Sequence, residues 1–414
     1  MRNLGKIAVR NLLRYSRRSL LTISLIAFGV IFVLVFVAVT GSFKLLITTQ
    51  ITDSYLGHLQ IHRRGYVASI DTLPLNLNLA PAQVTAIETV LAGTPEVQAY
   101  SARIKFGGLF STFVETTNIR INGVDPDKEF ATSPQMADRI IQGEKALSAL
   151  SRGQMLVPEL LARGFGTKVG DTVVVVATNR DGSVNGKTFV VGGILESATG
   201  PGGRDGYIHI DDAMEVLRMP ERELSEIAVR MTDLGQVERL AQSLRDRLAE
   251  AVPGQGKAGV EVHTWAQLSP FANIARMIDV MIFFIRLVLI AIVLISILNV
   301  MIMAVYERVR EIGTIAAIGT LPRKILALFL VEGLFLGVAG AVVGVLVGLG
   351  VIFILHVVKL PVTMGQTSYA LAPTIAPLEL LTASLMVIGV SIVASVQPAY
   401  KASRMEPIDA LRHV

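Results

Sequence analysis

The chain has 414 residues, 52% of them hydrophobic and 17% charged, with a net charge of +5 and a mean hydropathy of +0.57. A soluble domain carries about a quarter charged residues, so the composition points to a membrane protein, while the ordinary composition of the middle of the chain excludes a purely intramembrane one. The absence of cysteine excludes disulfide scaffolds, thiolate metal sites and a cysteine nucleophile.

Residues 1–18 are basic, with Arg2, Lys6, Arg10, Arg14, Arg17 and Arg18. Leu4, Ile7, Ala8, Leu12 and Tyr15 fall on one helical face, which predicts an amphipathic helix in a headgroup layer. Ser19 to Gly41 is the first run long enough to cross a hydrocarbon core, which needs about 20 apolar residues. A secretory signal would also follow a basic segment, but its apolar region is only about 7 to 15 residues, so this run is expected to be a retained span. Three more spans are predicted over Met277 to Tyr306, Ile325 to Val358 and Leu378 to Val396.

Basic residues fix the orientation. Arg308, Arg310, Arg323 and Lys324 lie between spans two and three, and Lys401, Arg404 and Arg412 follow span four, whereas the loop between spans three and four has only Lys359. By the positive-inside rule both termini and the 307–324 loop are cytoplasmic, and residues 42–276 and 359–377 face outward. Residues 44 to 276 hold 23 basic and 26 acidic residues, so the basic surplus belongs to the membrane portion and no nucleic-acid partner is expected.

The fold class expected is therefore an α-helical membrane protein of four transmembrane helices, with a large α+β domain over 42–276 inserted between helices 1 and 2. Within that domain, Gly57 to His62, Pro81 to Ala92 and Val97 to Lys105 read strand, helix, strand, and Glu226 to Met231, Leu234 to Ala251 and Gly259 to Thr264 repeat the order. These ends predict one subdomain, with a β-rich subdomain inserted at about 115–220, where Thr172 to Ala177, Thr188 to Leu195 and Tyr207 to Ile210 are strand-like. The run Gly182 to Thr188 has three residues between its glycines where a phosphate loop has four, and a strand follows, so it reads as a hairpin turn. Gly164, Gly166 and Gly170 miss dinucleotide spacing and read as turns. His58 and His62 share a strand face with Gln60 but lack a third ligand, so no metal site is expected. No catalytic constellation appears, and no cofactor is expected in this chain.

In span three, Gly340, Gly344 and Gly348 form a stripe of small residues suited to close helix packing. Glu332 lies two turns into that span and Arg286 well inside span two, from opposite sides; each is a candidate intramembrane functional residue that needs a partner or solvent. Between spans two and three, an apolar stretch from Thr314 to Ile318, bracketed by Gly313 and Gly319 and flanked by charges, is too short to span and should dock against something.

The spaced residues Glu307-Arg308-x-Arg310-Glu311-Ile312-Gly313, Ala317-Ile318-Gly319, Phe329-Leu330-x-Glu332-Gly333 and Pro398-Ala399-x-x-Ala402-x-x-x-x-Pro407-x-x-Ala410-Leu411-Arg412 resemble the signature of the FtsX-like, MacB-type ABC transporter permeases. Asn11-Leu12-Leu13-Arg14 with Arg18-Ser19-x-Leu21-Thr22 is similar to the same family, as is the layout of one span, a large insert and three spans. The resemblance implies a coupling helix in the 307–324 loop, with Glu307, Arg310, Glu311, Gly313, Ala317, Ile318 and Gly319 touching a separate ATPase subunit, in two copies, that binds ATP and Mg. It implies mechanotransmission to a porter-like outer domain in the inner membrane, and a second permease copy or paralogue. The segment Gly57 to Tyr66 is most similar to the lipoprotein-releasing LolC and LolE type, which implies a lipidated or hydrophobic substrate and a periplasmic acceptor or adaptor. The alternative implied by the family is an FtsX-like signal transmitter that controls an outer partner such as a cell-wall hydrolase.

Overall fold

The computed structural model describes residues 7, 8, 10, 11, 13–145, 147–197, 201–252, 259–364 and 367–406. Leu4 and Leu12 of the expected amphipathic face, and Pro407, Ala410, Leu411 and Arg412 of the terminal motif, lie outside the described residues. The chain divides into two units, one from Met1–Leu46 and Ala275–Val414 and the other from Ile47–Ile274. In chain order the elements are α1 (Ser16–Ile51) with a π-helical turn over Thr52–Leu56, β1 (Leu59–Arg63), α2 (Pro81–Ala92), β2 (Val97–Ser111), β3 (Thr116–Val124), α3 (Pro126–Thr132), β4 (Ile140–Gly143), β5 (Gln154–Pro158) and α4 (Glu159–Phe165). They continue with β6 (Thr172–Thr178), β7 (Val184–Leu195), β8 (Asp205–His209), α5 (Ile210–Val216), β9 (Glu226–Met231), α6 (Val237–Ala251), β10 (Val260–Thr264) and α7 (Trp265–Leu268). The last are α8 (Phe271–Glu307), α9 (Val309–Ala317), α10 (Pro322–Val358), the hairpin β11 (Leu360–Met364) and β12 (Thr367–Leu371), and α11 (Pro377–Ser403).

Among the described residues, four helices are long and apolar enough to cross a membrane: Ser16–Leu56, α8, α10 and α11. Hydrocarbon offers no hydrogen-bond partners, so such runs satisfy their backbone internally as helices. The apolar pattern of the first run stops at Gly41, yet the helix continues to Ile51, because Lys44, Thr48, Thr49 and Gln50 break the hydropathy without breaking the helix. Its ending is local: Gly57 takes φ 72 and its N–H donates to the Thr52 carbonyl. The second span begins earlier than the hydropathy predicts, at Phe271, and α9 is longer than the expected Thr314 to Ile318.

Among the described residues, the inserted unit is built on ten strands that share one pairing network. From one edge the order is β10-β1-β9-β2-β3-β8-β5-β7-β4, and β6 pairs with both β2 and β7. The pairs β2–β3, β3–β8, β8–β5, β5–β7, β7–β6 and β6–β2 therefore close a ring of six strands, which removes the exposed edges a flat sheet would present. The first half of β2 pairs instead with β9, from Val97↔Met231 to Arg103↔Glu226. Both expected parts of the domain thus share the long strand β2: the terminal segments supply β1, β9, β10, α2 and α6, and the middle supplies most of the ring. On α6, Val237, Ala241, Leu244 and Leu248 recur at helical spacing and are buried, joining the core with Ile87 and Leu91 of α2.

The run around Gly182 is the tip of the β6–β7 hairpin, with Gly182 at φ 82. Gly166, at φ 66, terminates α4. Neither glycine group cradles phosphate geometry, since strands follow each.

Candidate functional site

The loop between the second and third spans folds as the amphipathic helix α9. Ile312 and Gly313 are its buried residues, turned toward the surrounding helices, while Ile315, Ile318 and Leu321 are 41%, 80% and 62% exposed. Gly319 ends the helix: it takes φ 95, where a side chain would be strained, and its N–H donates to the Ala316 carbonyl. Pro322 then occupies the first turn of α10, where its missing N–H costs nothing. Arg310, Glu311, Ala317 and Gly319 are exposed around the apolar residues. Gly313, unlike the others of the expected contact set on this helix, is buried.

Behind this patch lies a buried polar joint. The Glu332 carboxylate, placed on α10 inside an apolar environment, accepts at Oε1 from Arg308 Nη1 at 2.8 Å and from Asn11 Nδ2 at 2.7 Å. The side chains of Arg308 and Glu332 are 8% and 2% exposed. The Arg308 guanidinium also lies 4.8 Å from the centre of the Tyr15 ring, an attractive cation–π arrangement when desolvated. Removing one member of a buried pair costs about 3–5 kcal/mol because the other charge is left uncompensated. Two outer pairs extend the joint: Arg14 Nη1 to Glu311 Oε1 at 3.2 Å, and Arg18 Nη1 to Glu307 Oε2 at 2.9 Å. Arg18 Nη2 additionally donates to the Val300 carbonyl of α8 at 2.7 Å. Exposed pairs of this kind contribute about 0–1 kcal/mol each. The N-terminal segment, α9 and the first turns of α10 are therefore tied together, most strongly at Glu332.

The glycines of α10 face two partners. A Cβ on Gly340 would stand 2.5 Å from Ile26 Cγ2, one on Gly344 2.6 Å from Val30 Cβ, and one on Gly348 3.2 Å from Leu34 Cδ1, so this stripe admits α1. Gly333 and Gly337 admit α11 at Ser395 and Ser391, whose hydroxyls donate to the Ser391 and Val387 carbonyls of their own helix.

Arg286 is paired with Glu379 in the first turn of α11, Nη2 to Oε1 at 3.8 Å. The stretch from Arg286 to Glu307 is about 31 Å of helix at 1.5 Å per residue, close to the roughly 30 Å of a hydrocarbon core. The charge on α8 has a partner on α11. Glu332, about 15 Å along α10, is the charge within the span.

The inserted unit holds a second buried network. Arg103 makes a bidentate pair with Glu129 (Nε–Oε2 2.9 Å, Nη2–Oε1 2.6 Å) and a further bond from Nη1 to Glu226 Oε1 at 3.0 Å. Lys105 Nζ reaches Glu226 Oε2 at 2.9 Å. Burial works against the charge on Arg103, but Glu129 and Glu226 outweigh it and hold the guanidinium more firmly protonated. Burial alone would raise the pKa of Glu226; Lys105, His62 and Arg103 together hold it well below the ordinary carboxylate range. His62 stacks on Tyr66 at 5.2 Å, and His58 Nδ1 accepts from the Met231 N–H, so both histidines are packed into the domain. Among the described residues no group of three or more His, Asp or Glu is placed to hold a metal ion.

The sequence singles out Glu332 as an intramembrane charge but not its partners. Arg308 and Glu332 lie symmetrically about Thr320 in a helix–turn–helix, which was the available signal for their pairing; Asn11, 321 residues away from Glu332, carried none.

Together these features define a polytopic membrane protein with a mixed α/β domain between its first two spans and a short amphipathic helix between the second and third. Residues 19–247 match the model of the MacB-like periplasmic core domain, and residues 283–407 that of the FtsX-like permease C-terminal region. The chain belongs to the FtsX-like, MacB-type family of ABC transporter permeases. It is 23% identical over 414 aligned positions to the lipoprotein-releasing system transmembrane protein LolC of Neisseria meningitidis, covering 95% of this chain and 94% of that one. It is 34% identical over 125 residues to the ABC transporter permease YtrF of Bacillus subtilis, spanning 28% of each chain. The match to the macrolide export ATP-binding/permease protein MacB of Hyphomonas neptunium is 35% over 117 residues, 28% of this chain and 16% of that one. The periplasmic region of MacB from Actinobacillus actinomycetemcomitans superposes with a TM-score of 0.38 at 13% identity, over 54% of this chain and 94% of that one.

Proposed function

We propose that this chain is the permease subunit of an ABC complex in the inner membrane that converts ATP hydrolysis by a separate ATPase subunit into extraction of a lipidated or hydrophobic substrate at the outer membrane face. In this reading both termini and α9 face the cytoplasm and the inserted domain is periplasmic. ATP and Mg are held by the ATPase, in two copies, on a pair of permeases formed by this chain with a second copy or a paralogue. The permease itself carries no catalytic site; its part is mechanical.

The observation that carries the reading is the outward apolar end of α9. Ile315 of α9, with Ile318 and Leu321 in the turn that follows it, stands exposed while Ile312 and Gly313 of the same helix are buried, and Arg310 and Glu311 lie beside them. An exposed apolar cluster with a charged rim has the composition of a protein-docking surface. The choice of substrate is supported by the end-to-end similarity to a protein named for lipoprotein release. Ile318→Asp should reduce co-purification of the ATPase at least tenfold while membrane insertion is retained; undiminished recovery of the ATPase would overturn the assignment of α9 as the docking element.

A further inference from the structure

We infer that the buried Arg308–Glu332–Asn11 joint makes the N-terminal segment a second arm of the coupling element, so that displacement of α9 is delivered directly to α1 as well as along α10. The inference rests on the reading of α9 as the ATPase-docking helix. It begins from the positions of the partners: Arg308 precedes α9, Glu332 is on α10, and Asn11 and Tyr15 precede the first span. A carboxylate that binds an arginine and an amide from two other segments fixes three pieces of chain at one oxygen. Because the pair is buried, separating it would leave charge without solvent, so the joint stays closed through a movement that the exposed pairs Arg14–Glu311 and Arg18–Glu307 could not resist alone.

What lies beyond the joint gives the arm something to move. From Ser16 the chain is one helix as far as Ile51, and along the apolar span its Ile26, Val30 and Leu34 rest against Gly340, Gly344 and Gly348 of α10. With α1 side chains seated directly against glycines, α1 and α10 approach closely and move as packed rods, and Arg18 adds a bond to the Val300 carbonyl that registers α1 against α8. Buried as they are, Glu332 and Arg308 act as positioning residues that set which helices follow α9.

The test uses the full-length permease with its ATPase in nanodiscs. The chain has no native cysteine, so Leu45→Cys, at an exposed position near the far end of α1, takes a single environment-sensitive fluorophore. ATP should change its emission. Two variants are compared, Glu332→Gln, which removes the charge that compensates Arg308, and Arg308→Met with Glu332→Met, which removes both charges and restores a stable apolar contact. The expected result is that the double variant unfolds within a few degrees of the parent and retains the ATPase and its turnover within twofold, but loses the ATP-driven emission change at least fivefold. A full-sized emission change in the double variant would overturn the inference and leave the pair a packing feature. If the parent itself retains no ATPase, the functional reading fails, and the inference with it.

Discussion

Gly344 lies so close to Val30 that a Cβ built on it would stand 2.6 Å from the Val30 Cβ, whereas a Cβ on Gly350, on the same helix, would meet nothing within 4 Å. The difference turns a sequence stripe into a defined helix contact. Gly344→Val should overpack the interface at a cost of about 1–3 kcal/mol. Gly350→Ala should be neutral or slightly stabilising, since alanine favours the helix. Thermal unfolding of the purified chain in detergent checks both; equal midpoints for the two variants would remove the α1–α10 packing from the account.

Arg103 should be the least replaceable residue of the inserted domain. Arg103→Ala leaves Glu129 and Glu226 buried without their guanidinium, at a cost of about 3–5 kcal/mol. Arg103→Met with Glu129→Leu, which deletes the bidentate pair as a unit, should cost less than Arg103→Ala. The single tryptophan, Trp265, directly follows β10, so its emission in urea reports this domain in the intact chain. A double variant weaker than Arg103→Ala would show that the pair contributes net stability beyond charge compensation.

The same emission should reveal two acid steps. Burial, followed by the neighbouring His62 charge, pushes His263 below its ordinary value of 6.5, so the unfolded chain takes up a proton there before the folded one does. Stability is then highest above pH 7 and begins to fall as the pH drops through about 6.5. Glu226 is held well below 4.5 in the fold, so its contribution is complete above that value and is lost as the pH falls through its lower folded pKa. The urea midpoint should therefore decline gently below about pH 6.5 and steeply below about 4.5. His263→Gln should abolish the first decline and keep the second; a midpoint flat down to pH 5 in the parent would contradict the His263 step.

Glu311 is both exposed on α9 and paired with Arg14. Glu311→Arg should uncouple ATP hydrolysis from the movement of α1 without affecting insertion, and adding Arg14→Glu discriminates between its two contacts. Restored coupling in the double variant assigns Glu311 to the N-terminal arm, and persistent uncoupling assigns it to the ATPase surface; normal coupling in Glu311→Arg alone would remove it from both.

Much of the architecture is visible in the chain because it follows from local chemistry. Apolar runs without charge must become helices in hydrocarbon, and the strand–helix–strand order at each end of the insert is written in short β-branched runs and the spacing of Ala241, Leu244 and Leu248. The pairing order is not visible: nothing in residues 97–111 shows that one strand serves β9 at its start and β6 at its end. The helix of the first span outruns its hydropathy because Lys44 and Gln50 are good helix formers although they are polar. The helix α9 is legible as an apolar stretch with no local place to bury itself. Its clamp is not, because Asn11 and Glu332 meet only through the tertiary fold.

In the proposed function α9 couples this permease to an ATPase serving a lipidated cargo, and mass spectrometry of what co-purifies with the full chain from native membranes in nanodiscs is the decisive measurement. An ATPase with nucleotide-binding motifs, lost on Ile318→Asp, is expected together with acylated proteins and a permease pair. A gentle preparation that contains no ATPase, or an ATPase retained by Ile318→Asp, would contradict it.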